Sequence, residues 1–368
     1  MAGEREASRP FLLSRECNNR CIFCGQAGLP PAGDRDLEAE LREARDASDR
    51  LTLVGGEPTL DAALPDVVSL AKTRGFRSIV LQTNGAKLDE ALAAELARRG
   101  LTGVHLSIHG AEARVHDYHT GNPGSFVRLL AALDAARSAK LFVSVTTVVT
   151  RSNFRVLSPI PALVSERGAS AWMLAFPAAA GRASVAVDRI VPRYGLAVPY
   201  ALHAIDAAAR LRLPAVISGV PSCLLGPFAS SALPEAPRVF ADACGNCEAR
   251  ETCAGVDAYY LGRFGGDELS PGARIARDPS VLQLAQFFVG PGELARPDAV
   301  TVESQPRRAL PMLGKVKPAI AEAPPNTVRR TGEALRDILP ALFAGDPSAP
   351  NKRAPGAGGL DPGDPDPK

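Results

Sequence analysis

The stretch RECNNRCIFCGQ, residues 15–26, places Cys17, Cys21 and Cys24 close together in the chain. It follows the apolar run FLLS, residues 11–14, which is suited to a short β-strand. The spacing is Cys-x3-Cys-x2-Cys, and three thiolates are one ligand short of a closed four-coordinate site. The stretch therefore predicts a metal centre with one position left for a ligand that the protein does not supply.

Two kinds of metal centre fit this spacing. A cubane [4Fe–4S] cluster held by three cysteines leaves one iron free for an external ligand. The alternative is a zinc ion with three protein ligands and a water, but catalytic zinc sites more often include histidine or carboxylate ligands. Glu16 is the one such residue in the loop. The spacing favours the cluster and leaves zinc open.

Predicted strands and helices alternate after the cysteine stretch. Such alternation indicates parallel strands joined by right-handed crossovers. An open sheet and a partial barrel fit the pattern equally, and in both of them ligands bind at the carboxyl ends of the strands. The six predicted strands are residues 11–14, 51–54, 78–83, 103–110, 141–149 and 171–176.

Three short motifs stand at the ends of successive predicted strands: GGEP at 55–58 and TNG at 83–85 follow the second and third, and SIHG at 107–110 ends the fourth. Each motif alone is no more than a strand-ending turn, a solvated charge or a sheet residue. Their order after Cys-x3-Cys-x-aromatic-Cys closely resembles that of the radical S-adenosylmethionine (SAM) enzymes, over about residues 10–180. The resemblance implies an α/β fold, a partial (β/α)6 TIM-like radical SAM barrel.

The resemblance also implies roles for individual residues. Cys17, Cys21 and Cys24 would hold a [4Fe–4S] cluster, and the amino and carboxylate groups of SAM would chelate its open iron. Phe23 would lie near the adenine of SAM.

Further SAM contacts are implied for residues in the three motifs. The two glycines would let the backbone approach the amino group of SAM, and the glutamate would help to hold that end. The serine would contact the ribose or carboxylate region. These residues are Gly55, Gly56, Glu57 and Ser107, with Asn84 and Thr147 as weaker candidates.

The implied reaction is a reductive cleavage of SAM. An electron donor such as ferredoxin or flavodoxin would reduce the cluster, and cleavage would give methionine and a 5′-deoxyadenosyl radical. That radical would abstract a hydrogen atom from the substrate. The cofactor carries the chemistry, while the protein orients the substrate and excludes water.

Several histidines lie near the fourth predicted strand. His105 and His109 share the strand parity of Ser107 and could face the same cavity, although hydrogen-bonded structural roles are the simpler interpretation. His116 and His119 are expected in an exposed polar loop.

A second group of cysteines follows an interval, residues 25–222, that contains none. The run CGNCEARETCAG, residues 244–255, has the spacing Cys-x2-Cys-x5-Cys. After a radical SAM core this run resembles the auxiliary-cluster extensions called SPASM or twitch domains, which implies a second [4Fe–4S] cluster. A full SPASM domain has more cysteines, so a truncated, single-cluster form is expected. The implied ligands are Cys223, Cys244, Cys247 and Cys253.

Two alternatives remain for this second group. Four thiols also suit structural zinc, and Cys223 could be free, leaving an open auxiliary iron. Three plus four cysteines account for all seven in the chain, and an odd number with tight spacing argues against disulfides.

The expected domain organisation has four parts. Residues 1–214 form the radical SAM core barrel, and residues 215–270 form the SPASM/twitch-like auxiliary cluster domain. Residues 271–344 are a C-terminal extension with one helix predicted over 327–343. Residues 345–368 carry too few apolar side chains to fold and are expected to be disordered.

Composition excludes several classes of function. Apolar residues make up 46% of the 368 residues, charged residues make up 22%, and the net charge is +2. This near-neutral charge gives no basis for binding nucleic acid or a membrane surface. The first ten residues do not resemble a signal peptide, and no apolar run approaches the ~18 residues of a membrane span. We therefore predict a cytoplasmic protein.

The predicted function is that of a radical SAM enzyme, with peptide or protein modification as the leading substrate class. A small-molecule or cofactor-precursor substrate is the alternative within the enzymes. A non-catalytic zinc-binding module is the alternative from another class.

Overall fold

The computed structural model of the chain describes residues 8–31, 33, 35–233, 235, 238–274, 279–285 and 287–288. The predicted helix at 327–343 and the predicted disordered tail at 345–368 lie outside these residues. Within them the chain forms one parallel sheet. Its strands are β1 Arg9–Leu12, β2 Arg50–Val54, β3 Ser78–Thr83, β4 Gly103–Ser107, β5 Phe142–Val148, β6 Ala171–Ala175 and β7 Ala215–Ser218.

The strands lie side by side in chain order, and every neighbouring pair is parallel. The order never reverses, so right-handed crossovers carry every connection to the same side of the sheet, as in a barrel wall. The predicted α/β barrel architecture is confirmed, with β1 and β7 at the two edges. The sheet has seven strands, one more than the six of the predicted (β/α)6 barrel, because the strand predicted at 215–220 also joins it as β7.

Helices pack against this sheet, and those that connect successive strands cover its outer face. Three of the described helices begin at aspartate caps, because the side chains of Asp36, Asp89 and Asp257 accept hydrogen bonds from backbone N–H groups in the first turn. The helices are α1 Leu37–Ala47, α2 Leu64–Thr73, α3 Glu90–Arg99, α4 Ala113–Thr120, α5 Ser125–Ser138, α6 Ile160–Glu166, α7 Arg182–Val185, α8 Val187–Ile190, α9 Tyr194–Arg210, α10 Ala258–Phe264 and α11 Pro279–Ala285.

Two hydrophobic clusters cover the two faces of the sheet. The larger one lies between the strands and the outer helices, around residues such as Leu53, Leu106 and Trp172. The smaller one lies on the other face, where Met173 of β6 and Val216 of β7 pack with Phe288. Parallel strands buried on both faces explain why the strand sequences are almost continuously apolar.

The predicted domain boundary between residues 214 and 215 falls inside the sheet. β7 begins at Ala215 and pairs with Trp172 of β6, so this strand belongs to the barrel wall. The cysteine-rich segment after it also shares the larger core, because Tyr260 of α10 stacks on Tyr194 of α9 with ring centroids 3.9 Å apart. The described part of that segment packs onto the barrel and does not form a core of its own.

None of the described helices is both long enough and apolar enough to span a membrane.

Candidate active site

A cavity of about 490 Å³ opens at the carboxyl ends of the strands. The cysteine loop after β1 forms one side of it, and the ends of β3 to β6 form the other. Eight of the residues predicted to bind the cluster or SAM line this cavity, and the predicted residues Glu57 and Thr147 do not. The eight are Cys17, Cys21, Phe23, Cys24, Gly55, Gly56, Asn84 and Ser107.

The end of α4 fixes the cysteine loop. The backbone N–H of Arg20 donates to Thr120 O at 2.7 Å, and that of Ile22 donates to His119 O at 3.0 Å. The last carbonyls of a helix have no partner inside the helix, so these two bonds also complete α4. The cysteines are therefore carried on a loop held by a helix end.

The three thiols of this loop lie close enough to influence one another. Burial, and after it the charges of Cys24 and Cys17, raise the pKa of the Cys21 thiol to about 12. Burial also raises the pKa of Cys17, although Asn19 N–H donates to its Sγ at 3.4 Å and opposes the shift. Crowded thiolates of this kind need a compensating positive charge, which a bound metal cluster supplies.

The two glycines of GGEP contact the backbone of the cysteine loop. Gly56 N donates to Ser14 O at 2.8 Å, and Glu57 N donates to Glu16 O at 2.7 Å. A Cβ atom on Gly55 would lie 2.1 Å from Ser14 O, and one on Gly56 would lie 2.2 Å from Glu16 O. The glycines are therefore required by the close approach of the loop itself, a contact that the sequence did not predict.

Glu57 ties two strand ends together. Its side chain is fully buried and accepts hydrogen bonds from Thr59 N at 3.0 Å, Thr59 Oγ1 at 2.6 Å and Asn84 N at 2.6 Å. The Thr83 hydroxyl also donates to it. Charge-assisted bonds of this kind are strong, so the carboxylate locks the end of β2 to the end of β3 beneath the glycines.

Asn84 reaches the cysteine loop from the opposite side. Its Nδ2 donates to Asn18 Oδ1 at 2.7 Å and lies 4.0 Å from Cys17 Sγ. Ser107 at the end of β4 and Phe23 of the loop both face the cavity.

Thr147 lies on the other face of the sheet. It is fully buried, and its hydroxyl accepts a hydrogen bond from Trp172 Nε1 at 2.9 Å. The neighbours that line the cavity from β5 are Thr146 and Val148, because successive side chains alternate between faces. The prediction that Thr147 contacts SAM is therefore wrong, and Thr146 occupies the corresponding inward position.

The cavity wall carries polar atoms without partners. Among the described residues, five buried side-chain nitrogen or oxygen atoms lack a hydrogen bond. Four of the five belong to residues that line the cavity: Arg15 Nε, Gln26 Oε1, Gln82 Oε1 and His109 Nδ1. Buried polar groups are normally paired, so this concentration indicates a site that a polar ligand completes.

The described lining of the cavity carries arginines and no carboxylates. Arg15, Arg20 and Arg182 line the cavity, and the described lining includes no aspartate or glutamate. Three guanidinium groups around three cysteines suit a site that holds thiolates and carboxylates.

His105 closes the bottom of the cavity. Its Nδ1 lies 2.9 Å from Ser144 Oγ and its Nε2 lies 2.8 Å from Thr146 Oγ1, so both ring nitrogens have partners. Phe288 packs edge-on against the ring at 5.3 Å. Burial lowers the pKa of His105 to about 4, which leaves the ring neutral at pH 7.

Three further histidines form an aromatic wall behind Phe23. His116 and His119 lie on α4 and are buried, so the expectation of an exposed loop is wrong. His119 is fixed through Nδ1 to Val115 O at 2.6 Å and through Nε2 to a threonine hydroxyl. His109 follows β4, and its ring lies 4.6 Å from that of Phe23. Its position in the cavity lining agrees with its strand parity.

The second group of cysteines gathers beside β7. Cys223, in the turn after this strand, has its pKa raised by burial and then by the nearby thiolates of Cys253, Cys244 and Cys247. Gly272 N donates to Cys247 Sγ at 3.3 Å, so this group extends two residues past the predicted boundary at 270. Within the described residues, no three His, Cys, Asp or Glu side chains converge closely enough to hold a single metal ion.

A parallel barrel wall with three cysteines facing its carboxyl-end cavity defines the class of this site. Residues 11–153 match the family described as the Radical SAM superfamily. This part of the chain is therefore a radical SAM domain, as the sequence predicted.

Relatives of known name match about half of the chain. An AdoMet-dependent heme synthase of Methanosarcina barkeri is 32% identical over 182 residues, which are 46% of this chain and 50% of the relative. The mycofactocin maturase MftC of Mycolicibacterium smegmatis is 31% identical over 181 residues, 45% of each chain. The chain thus spans about half the length of the curated relatives it matches. Among solved structures, Streptococcus suis SuiB is similar with a TM-score of 0.49 and 15% identity, over 61% of this chain and 52% of SuiB.

We predict that Gly56→Ala displaces the cysteine loop. The added methyl would meet the backbone of Glu16 at 2.2 Å and cannot be relieved by a side-chain rotation. The free energy of unfolding should fall by about 1–3 kcal/mol, measured by urea unfolding.

The matched control is Gly262→Ala in α10, where an added Cβ meets nothing within 4 Å. That change should stabilise the chain by about 0.5–1 kcal/mol, because alanine favours a helix interior over glycine. Equal effects of the two substitutions would contradict the close contact assigned to Gly56.

We also predict that the folded chain loses stability as the pH falls from 6.5 toward 4. His105 and His116 have pKa values lowered from 6.5 to about 4, mainly by burial. Between these values the unfolded chain binds protons that the folded chain does not, so stability is complete above pH 6.5 and is lost as the pH falls toward 4. The loss is at most about 1.4 kcal/mol per pH unit for each imidazole.

Urea unfolding at several pH values across this window tests the prediction. His105→Gln should make the pH dependence shallower, whereas His203→Gln, at the exposed surface of α9, should leave it unchanged. A wild-type stability that is constant across the window would refute the assignment.

Proposed function

We propose that this chain is a radical SAM enzyme whose Cys17, Cys21 and Cys24 hold a [4Fe–4S] cluster. The observation that carries the proposal is the cavity of the radical SAM domain, which is lined by these three cysteines and by four residues with an unpartnered buried polar atom. When bound, the reduced cluster and SAM would supply a 5′-deoxyadenosyl radical that abstracts a hydrogen atom from the substrate. This family chemistry requires both groups.

The residues of the chain would position these groups. Asn84 and Ser107 face the cavity from two strand ends and would contact SAM, with Phe23 against its ring. Gly55 and Gly56 would act mainly by holding the cysteine loop in place, since its backbone occupies the space where a side chain on either residue would lie.

Glu57 would support SAM binding indirectly, without contacting SAM. Its carboxylate is occupied by donors from three residues, so it would position Asn84 and the two glycines rather than bind the amino group directly. The fixed strand ends would keep the SAM site from rearranging during the reaction.

The substrate class we favour is a peptide or protein. Relatives named mycofactocin maturase support it, and relatives named AdoMet-dependent heme synthase support the alternative of a small-molecule or cofactor precursor. The arginine-lined cavity suits a carboxylate group in either case, in addition to that of SAM. A ferredoxin or flavodoxin would supply the electron.

The second cysteine group would hold an auxiliary [4Fe–4S] cluster. Four cysteines within mutual influence support this, with Cys223 as the fourth ligand. Backbone N–H groups already point at two of the sulfurs, from Gly272 to Cys247 and from Gly255 to Cys253. Hydrogen bonds to cluster sulfurs are one means by which proteins tune reduction potential. The segment would be a truncated SPASM/twitch-like module.

The competing proposal is a zinc protein without catalytic activity. Protein purified under anoxic conditions should be brown and carry about eight irons per chain if both clusters are present. Colourless protein with zinc at both groups would overturn the radical SAM proposal.

We predict that Cys21→Ala abolishes SAM cleavage. Loss of one of three ligands should release the cluster of the radical SAM domain and lower the iron content to about four per chain. Methionine and 5′-deoxyadenosine are measured by chromatography after reduction with dithionite. Retained cleavage by this variant would show that the ligands are assigned wrongly.

Cys247→Ala should give the reciprocal result. Iron should again fall to about four per chain, while slow SAM cleavage without substrate continues, because the first cluster is intact. Substrate turnover should stop. A variant that keeps its full iron content would contradict the auxiliary cluster.

A further inference from the structure

The strongest unused feature of the cavity is His109, which follows β4. The residue is 2% exposed and lines the cavity. Both of its backbone groups are fixed: its N–H donates to His116 Nδ1 at 3.2 Å, and its carbonyl accepts from Asn153 Nδ2 at 3.0 Å. The imidazole therefore has a defined position in the wall.

The ring of His109 has a nitrogen without a hydrogen-bond partner in the described protein. Its Nδ1 is buried and lacks a hydrogen-bond partner among the described residues. The contrast with His105 and His119 is direct, because both ring nitrogens of each of those residues have protein partners. A buried polar atom without a partner lowers stability, so its retention in a residue that lines a cavity points to a bound ligand.

The ring of His109 is also uncharged. Burial holds its pKa well below the ordinary value, and His116 and His119 lower it further. Asp117 on α4, whose charge acts on the neighbouring His116, accepts hydrogen bonds from Gly124 N at 2.7 Å and from the next two residues, at the start of α5. A neutral imidazole can stack on a planar group and can form hydrogen bonds through its ring nitrogens, but it carries no positive charge.

The surroundings of His109 form an aromatic corner. Phe23 meets the His109 ring edge to face at 67°, and His116 stacks behind it at 5.5 Å and 14°. Phe23 lies between Cys21 and Cys24 in the chain, so a molecule bound to a cluster on this loop would lie beside the corner. The adenine ring is the planar, uncharged part of SAM whose edge carries hydrogen-bonding groups.

We propose that His109 is a ligand-binding residue and that its ring hydrogen-bonds the edge of the adenine of SAM beside Phe23. The assignment rests on the proposed function, because it requires SAM in this cavity. His109 would thereby fix the orientation of the nucleoside, while the arginines of the lining suit the carboxylate of SAM.

Equilibrium binding of SAM to the anoxic, unreduced full-length protein tests this role, since without reduction SAM is not cleaved. His109→Phe keeps a ring and removes the nitrogen, and it should weaken SAM binding by about tenfold. His109→Asn keeps a polar group near the position of Nδ1 and should bind more tightly than the Phe variant. His203→Phe on the surface of α9 is the matched control and should bind as wild type does.

Thermal unfolding of the same variants without SAM separates ligand binding from a structural role. Removal of an unpartnered nitrogen should leave the Tm of His109→Phe unchanged or raise it, with unchanged iron content. If this variant does not fold, His109→Leu replaces it, because leucine matches asparagine in size and lacks its hydrogen bonds. Leu should then bind SAM more weakly than Asn.

Two results would overturn the assignment. One is SAM affinity equal to wild type in His109→Phe, or in His109→Leu if that variant is used. The other is a loss of affinity that tracks a fall in Tm across the variants, which would indicate a structural residue. A wild-type protein that binds no SAM would instead overturn the proposed function. Failure of the His109 assignment and failure of the proposed function are therefore distinguishable.

Discussion

The site depends on one close backbone contact, between the Gly55-Gly56 turn and residues Ser14 to Glu16. Any Cβ on either glycine would lie within 2.3 Å of a carbonyl oxygen, so only glycine permits this contact. The contact joins the start of the cysteine loop to the end of β2. Glu57 then joins β2 to β3, and α4 holds the loop from the far side. The positions of the three thiols follow from these attachments.

The chemistry proposed for the site follows from the cavity that this arrangement creates beside the three thiols. The thiols face a cavity whose other walls are arginines, strand-end polar groups and an aromatic corner. Four buried polar atoms in those walls lack partners, which is costly unless a ligand binds there. A cluster with one open iron, completed by SAM, accounts for the thiols and for the unpartnered wall together.

The sequence predicted the barrel, the cysteine loop and most of the cavity lining, because each motif directly follows a buried strand. It did not predict α4, since ARVHDYHT lacks a clear apolar period and the helix is fixed by contacts with the cysteine loop. It assigned Thr147 to the cavity, because the inward face of β5 is set by the register of Ser107 against Thr146, which a single sequence does not contain. The contact between the glycines and the loop was also unpredictable, because it joins distant segments.

The central claim is that three cysteines hold a cluster with one iron open to SAM. The most direct measurement is the electron paramagnetic resonance spectrum of the dithionite-reduced Cys247→Ala protein, which isolates the first cluster, recorded with and without SAM. We predict a [4Fe–4S] signal whose g-values change when SAM is added, because a new ligand binds an iron. A spectrum that SAM leaves unchanged, or the absence of any cluster signal, would contradict the account.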